Sequence, residues 1–564
     1  MKKRNPRRLW WVLPVAVASG IATAQPKLST AEKAAAARLS TREIAAHIRF
    51  LSDDLLEGRA PGSRGERLAT RYIAAHLEAA GFEPAGEGGS FFQKVPLVGI
   101  VPTLPNTVTF KARSGQSAEL SVPSDLVITS GVQTDSARIA DAEVVFVGYG
   151  IVAPEYQWDD YKDVDVRGKV VLVMNNDPAS DPVLFAGKTR LWYGRWGYKY
   201  LQAAAKGAIG AIIIHTTPSA AYPWQVVESS NSGERFELPG GDEPRLQAKM
   251  WATEAASRKL AALGGKDLDA LRVAAETRQS RPVPLGVTVS LAFKNTVRQL
   301  EGENVVGRLP GADPKLREEA VIFTAHHDHL GIRAPKNGDA IYNGALDNAS
   351  GVALMLAIAN AIAEGPRPKR SLIAAGFTAE EQGLLGSEWY CRRPTVPPGN
   401  IAANINIDAV NNIGRASDFG FIGYGKSSLD AVVDAVARAQ GRVVHGDPFP
   451  EKGSFYRSDQ FNFARVGVPA VYGRGGPAFV GRSPEWGQEQ RELYEKRHYH
   501  QPSDQYDDAT WNLEGALQDA QLLMLTGLRV ANDPKLPTWK PGDEFEKARQ
   551  KSLVERKSQL GQLR

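Results

Sequence analysis

A chain of 564 residues with 43% hydrophobic and 23% charged content is that of a soluble globular protein, too long for one ordinary domain. The formal net charge is +5, but Lys2, Lys3, Arg4, Arg7 and Arg8 supply five positive charges at the extreme N-terminus. The remainder is close to neutral, which removes the electrostatic case for nucleic-acid binding. The single cysteine, Cys391, excludes an intrachain disulfide and a thiolate zinc cluster, and it reads as apolar filler.

The basic head is followed by an apolar run over residues 9–22 and the small-x-small site Ala22-Thr23-Ala24. This pattern predicts a secretory signal peptide over residues 1–24. The run is shorter than the roughly 20 residues of a membrane span, so no stable membrane anchor is expected. Export without disulfides suits a bacterial periplasmic or secreted protein.

Residues 28–80 predict helices, interrupted at 51–59 and by Pro61-Gly62, with the second helix ending at Gly81. Residues 91–110 predict strands broken by prolines. From 109 to 284 the texture changes: 144–147 and 170–173 are short β runs, 200–206 a helix and 208–214 a buried strand. The one histidine there, His215, ends a strand alone and reads as structural. This segment predicts an inserted β-rich module. After residue 287, strands at 304–307, 321–324, 371–377, 401–407 and 468–472 alternate with helices at 350–363, 384–390 and 428–440. That rhythm predicts a parallel or mixed sheet covered on both faces. Residues 513–530 form a closing amphipathic helix, and residues after 533 a polar, charged tail with helical character.

Nine histidines are present, and five fall in two clusters: His326, His327 and His329, then His498 and His500. The apolar run 321–323 leads directly into the first, and an open α/β sheet gathers chemistry at the C-terminal ends of its strands. His326 and Asp328, two apart, can share a strand face, one binding a metal and the other orienting it. Asp347 lies in a Gly-rich loop ahead of a helix. Glu380 and Glu381 end a strand as adjacent carboxylates, which repel unless a cation or a shared proton relieves them. Asp408 ends a further strand, and His500 follows much later. His326, Asp347, Glu381, Asp408 and His500 make a set of nitrogen and oxygen ligands that suits catalytic zinc with an open position. Five ligands allow one carboxylate to bridge two ions, and Glu380 is left as general base.

These motifs resemble the secreted zinc aminopeptidases of metallopeptidase family twenty-eight, a group that also holds glutamate carboxypeptidases and glutaminyl cyclases. The matching pieces are Ala325-His326-His327-Asp328-His329-Leu330-Gly331, Gly344-Ala345-Leu346-Asp347-Asn348-Ala349-Ser350-Gly351, Glu380-Glu381-Gln382-Gly383, Asn406-Ile407-Asp408 and Tyr499-His500. The resemblance implies an α/β fold of the zinc-peptidase/phosphorylase-like type, a mixed sheet flanked by helices, with two zinc ions. It implies that His326 and Asp408 hold one ion, Glu381 and His500 the other, and Asp347 bridges them. Asp328 would orient His326, Glu380 would be the base, and Tyr499 would help polarise the substrate carbonyl. His327, His329 and His498 are not expected to be ligands. Leu346 and Gln460 stand where the family often has Asp and His.

The insert is similar to a protease-associated domain, notably at Gly148-Tyr149-Gly150-Ile151 and from Asp163 to Val173, which implies a lid or substrate-guiding role. The domain plan is then a signal peptide (1–24), a catalytic domain in two parts (25–108 and 285–533), the inserted protease-associated domain (109–284) and a charged tail (534–564).

Competing chemistries find less support. No Gly-x-Ser-x-Gly elbow and no His-Glu-x-x-His helix is present, and Ser350 reads as a helix start. Retention of all five candidate ligands argues against a single-zinc glutaminyl cyclase and against a non-catalytic binding protein on the same fold. A glutamate-carboxypeptidase-like exopeptidase stays open, because Arg415, Arg457, Arg474 and Arg482 offer cations for a substrate carboxylate. The expected protein is a secreted dinuclear zinc aminopeptidase acting on peptide substrates.

Overall fold

One strand of 27 residues, Val283–Leu309, joins the two halves of the computed structural model, which describes residues 27–562. The expected signal peptide lies outside the described residues. Side chains alternate in and out along the strand, with Leu285, Val287, Val289, Leu291 and Phe293 buried, as a period of two requires. Its first part pairs antiparallel with Ser136–Phe146, its middle with Phe92–Thr103, and Val305–Leu309 with Ser371–Phe377. Phe92–Thr103 is a single strand, contrary to the expected series of broken ones. Pro96 and Pro102 each remove one N–H without ending the ladder, because pairing to the long neighbour continues on both sides of them.

Beyond Ser371–Phe377 the sheet continues through Ala320–His326, Ile401–Asn406 and Ala470–Gly475, all mutually parallel. Asp418–Ile422 adds antiparallel to the last, and Val443–His445 closes that edge. Ala320–His326, Ser371–Phe377 and Ile401–Asn406 are buried at every residue, as strands covered on both faces must be. One covering layer holds Thr41–Leu51, Arg64–Ala79, Ser350–Ala363 and Glu514–Asn532, whose apolar residues share one core with the sheet. Ala345–Ala363 is long and apolar enough to cross a membrane, but it is buried within the molecule. On the other face Tyr390, Phe463, Phe377 and Val468 form a second core, against which Cys391 packs half-buried.

In the inserted half, Val170–Met174, Gly210–His215 and Ala248–Thr253 run parallel, with Leu126–Ser130 antiparallel at the edge. Separate cores lie on its two faces. His215 is buried in one of them, its Nε2 3.0 Å from the Tyr222 carbonyl, so it is structural as expected. The segment is less purely β than its composition suggests: Glu254–Leu263 and Leu268–Ala275 are helices, the first capped by the Thr253 side chain. Two further elements escape periodicity. Pro484–Arg497 is a helix with no apolar stripe, started by a Ser483 cap and an N-terminal proline. Glu546–Gln562 is docked through buried Arg549, which donates to the carbonyls of Pro398 and Ile401.

Gly527 brings Glu514–Asn532 onto the sheet. A Cβ there would lie 2.4 Å from the Phe323 ring and 3.1 Å from Ile405 Cδ1. Gly527→Ala is therefore expected to cost about 1–3 kcal/mol by overpacking, measured from the urea midpoint.

Candidate metal centre

Five parts of the chain deliver side chains to one sheet edge. His326 is the last residue of Ala320–His326. Glu380 and Glu381 follow Ser371–Phe377, and Asp408 follows Ile401–Asn406. Asp347 precedes Ser350–Ala363, and His500 comes from the loop after Pro484–Arg497.

The two oxygens of Asp347 face opposite imidazoles. Oδ1 lies 3.3 Å from His326 Nε2, and Oδ2 lies 3.4 Å from His500 Nε2. His326 Nε2 is also 3.6 Å from Asp408 Oδ1, and His500 Nε2 is 3.0 Å from Glu381 Oε2. All five expected ligands thus meet, with Asp347 in the middle. His329 joins them against expectation: its Nδ1 is 2.7 Å from Glu381 Oε1, and its ring packs edge-on to His500 at 5.7 Å. Its donor atom groups with those of Asp347 and Glu381 as compactly as His326 groups with Asp347 and Asp408. The physical reason is a turn. The chain leaves the strand at His326, so the alternation that would point His329 away no longer applies. His327 faces Glu66 (3.8 Å), and His498 bonds Ser503.

These donors fit divalent cations. His326 Nε2, both ring nitrogens of His329, Glu381 Oε1 and His500 Nε2 are buried yet make no hydrogen bond among the described residues. Orphaned buried polar atoms converging on common points call for a ligand, and imidazole plus carboxylate without sulfur is a zinc donor set. The charges agree. Burial pulls the His500 imidazole down, but Glu381 and Asp347 outweigh it and hold it up at about 10. Burial works to raise Asp347 and Glu381, but the facing imidazoles hold both carboxyls below the usual range. Burial, aided by Asp408 and Glu381, pushes the Glu380 carboxyl well above that range. Such carboxylates demand positive charge, which cations supply in place of protons.

Around the donors lies a frame of hydrogen bonds. Asp328 faces His326 Nδ1 with both its carbonyl (3.2 Å) and its Oδ1 (3.6 Å). The Asp328 carboxylate also accepts from the Glu380 backbone N–H at 3.0 Å. Asp504 accepts from the backbone N–H groups of Leu346 and Asp347. Asn348 donates to the Ile407 carbonyl and accepts from Ala409 N–H, tying the Asp347 loop to the Asp408 strand. Arg59 is fully buried and donates to the carbonyls of Leu51, His327, Asn343 and Gly344. Gln460 is also buried and structural, bonding Asn406 and the Phe455 carbonyl. Tyr499 stacks on His500 with ring centroids 3.9 Å apart.

A mixed α/β sheet with imidazole and carboxylate donors gathered at its C-terminal edge is a candidate zinc centre. Residues 304–525 match the model of peptidase family M28. It is 33% identical over 129 residues to a vacuolar membrane protease of Yarrowia lipolytica, covering 23% of this chain and 12% of that protein. It is 43% identical over 75 residues to a probable zinc metalloprotease of Pyrenophora tritici-repentis, 13% of this chain and 17% of the relative. The chain therefore spans under a fifth of the length of either relative in these matches. The aminopeptidase from Aneurinibacillus sp. strain AM-1 superimposes with a TM-score of 0.52 at 22% identity, over 91% of this chain and 99% of that one, a likeness of fold.

His329→Ala is expected to weaken metal binding at the Glu381 side about 10–100-fold, whether His329 binds directly or orients Glu381. Titration of the metal-free protein with zinc measures it.

Proposed function

We propose that the protein is an exported aminopeptidase with two zinc ions, which hydrolyses the N-terminal peptide bond of peptides. His326 and Asp408 would hold one ion, Glu381 and His500 the other with His329 beside them, and Asp347 would serve both. When bound, the ions supply Lewis-acid chemistry, polarising the scissile carbonyl and acidifying water. Glu380 takes the proton from the attacking water as the new C–O bond forms. It then passes that proton to the amine nitrogen as the C–N bond breaks. Asp328 holds Glu380 in place through its backbone.

The observation that carries this reading is the position of Glu380. Its Oε2 lies 4.0 Å from His326 Nε2, and it lines one cavity together with Glu381, Tyr499 and His500. A carboxylate with its own position fixed, beside the donor cluster and open to that cavity, suits a general base. The inserted half supplies a wall of the same cavity through Trp192, Tyr222 and Arg235. A protease-associated domain guiding short substrates accounts for that wall. The cavity, about 580 Å³, suits a few residues at a chain end.

Two outcomes test the proposal. A leucine anilide with a free amine is expected to be cleaved in zinc, and its N-acetylated form to be spared; equal cleavage of both would show that the amine is not read. Glu380→Gln is expected to lower kcat about 10²–10⁴-fold while zinc content is retained; a near-normal kcat would remove Glu380 from the mechanism.

A further inference from the structure

The cavity beside Glu380 and Glu381 also contains charge that the mechanism does not use. Arg195 lines it from the inserted half, immediately before the helix Trp196–Ala205, and Arg457 lines it from the other half, just after the turn Ser454–Tyr456. The two halves are locked together at this point. Arg190 N–H donates to the Pro450 carbonyl at 3.1 Å, and the Trp192 and Phe461 rings lie 4.8 Å apart.

Arg195 is 8% exposed, and its guanidinium has no hydrogen bond or ion pair among the described residues. Arg457 likewise has none, sitting 5.5 Å over the Tyr222 ring. Each other cation on the cavity wall has partners: Arg245 and Lys249 share Glu237, Arg392 pairs with Glu388, and Arg235 donates to the Ser230 carbonyl. Two fully buried arginines elsewhere carry a carboxylate partner, Arg370 with Glu319 and Arg442 with Asp519. Burial pulls the Arg195 guanidinium down to about 9, and the neighbouring positive charge of Arg457 adds to this. It remains cationic at neutral pH. An unpaired buried charge is costly, and a second beside it more so. Two guanidiniums open to a cavity lack an anion, and guanidinium forks match carboxylates in planar, two-point fashion.

Resting on the peptidase reading above, we propose that Arg195 and Arg457 clamp a carboxylate of the substrate and make it a specificity determinant. Two sources carry that chemistry: the free C-terminus of a di- or tripeptide, and an Asp or Glu side chain near the cleaved bond. Arg195 and Arg457 thereby select short or acidic peptides.

The test compares Leu-Gly-Gly, its C-terminal amide, and the amide of Leu-Glu-Gly. One or both charged peptides are expected to exceed the neutral amide in kcat/KM by about tenfold or more, through KM. Preference for the free acid identifies the chain end, and preference for the Glu peptide the side chain. Arg195→Gln is expected to bring the charged-to-neutral ratio close to one, and Arg195→Lys to restore part of it. The thermal midpoint of Arg195→Gln should equal or exceed that of the parent, because an unpaired buried charge is removed. Arg457→Gln should show the same loss of ratio. Equal rates for all three peptides, or an unchanged ratio in both Gln variants, would overturn the clamp. Calorimetric binding of the same peptides to zinc-loaded Glu380→Gln separates this proposal from the one it rests on. A protein inactive on leucine anilide that still binds Leu-Gly-Gly over its amide, and loses this with Arg195→Gln, keeps the clamp and discards the aminopeptidase.

Discussion

Four carboxylates, Asp347, Glu380, Glu381 and Asp408, are held at one buried sheet edge, and their mutual repulsion governs what surrounds them. Water cannot screen them there, so only positive charge can. Three imidazoles provide some of it, and the unpaired lone pairs left over define where cations belong. The same crowding separates roles. Asp347 and Glu381 each face imidazoles and are held ionised, whereas Glu380, 4.0 Å from His326 Nε2, is pushed up by burial and by the neighbouring carboxylates.

Holding like charges together requires a stiff frame, and that frame is mostly backbone. Arg59 gathers carbonyls from three separate stretches, one from the end of the helix Thr41–Leu51 and the others from the loops that follow His326 and precede Asp347. Its positive charge lies near the acidic cluster, with Asp328 and Asp504 the main carboxylates that offset its burial. Asp504 then grips the Asp347 loop from the opposite side through two N–H groups. A carboxylate set between two imidazoles is held there by these contacts, which deny it room to drift.

Much of the centre could be read from residue order because strand ends announce themselves. The apolar runs before His326, Glu380 and Asp408 are contiguous stretches of sequence, and the sheet stacks them in parallel. His329, Asp504 and Arg59 left weaker traces. His329 is placed by a turn that breaks strand alternation. Asp504 and Arg59 act through backbone groups, whose identity no side chain reveals. Arg195 was hidden for a different reason, since it comes from the inserted half and reaches the site only through folding across more than 180 residues of chain separation from Glu380 (380 − 195 = 185). Helices without an apolar stripe, such as Pro484–Arg497, were illegible because their anchoring comes from a cap and from polar contacts such as Arg491 with the Gly475 carbonyl.

The strand Val283–Leu309 has a consequence for how the molecule could be shortened. Its first residues complete the ladder of the inserted half, and its last residues begin the sheet that carries the donors. Excising residues 109–284 would leave the stub beyond Pro284 with unpaired N–H and C=O groups along an apolar, alternating strand, a template for edge-to-edge aggregation. Residues 109–284 therefore also cover an edge that the rest of the chain would have to protect by other means.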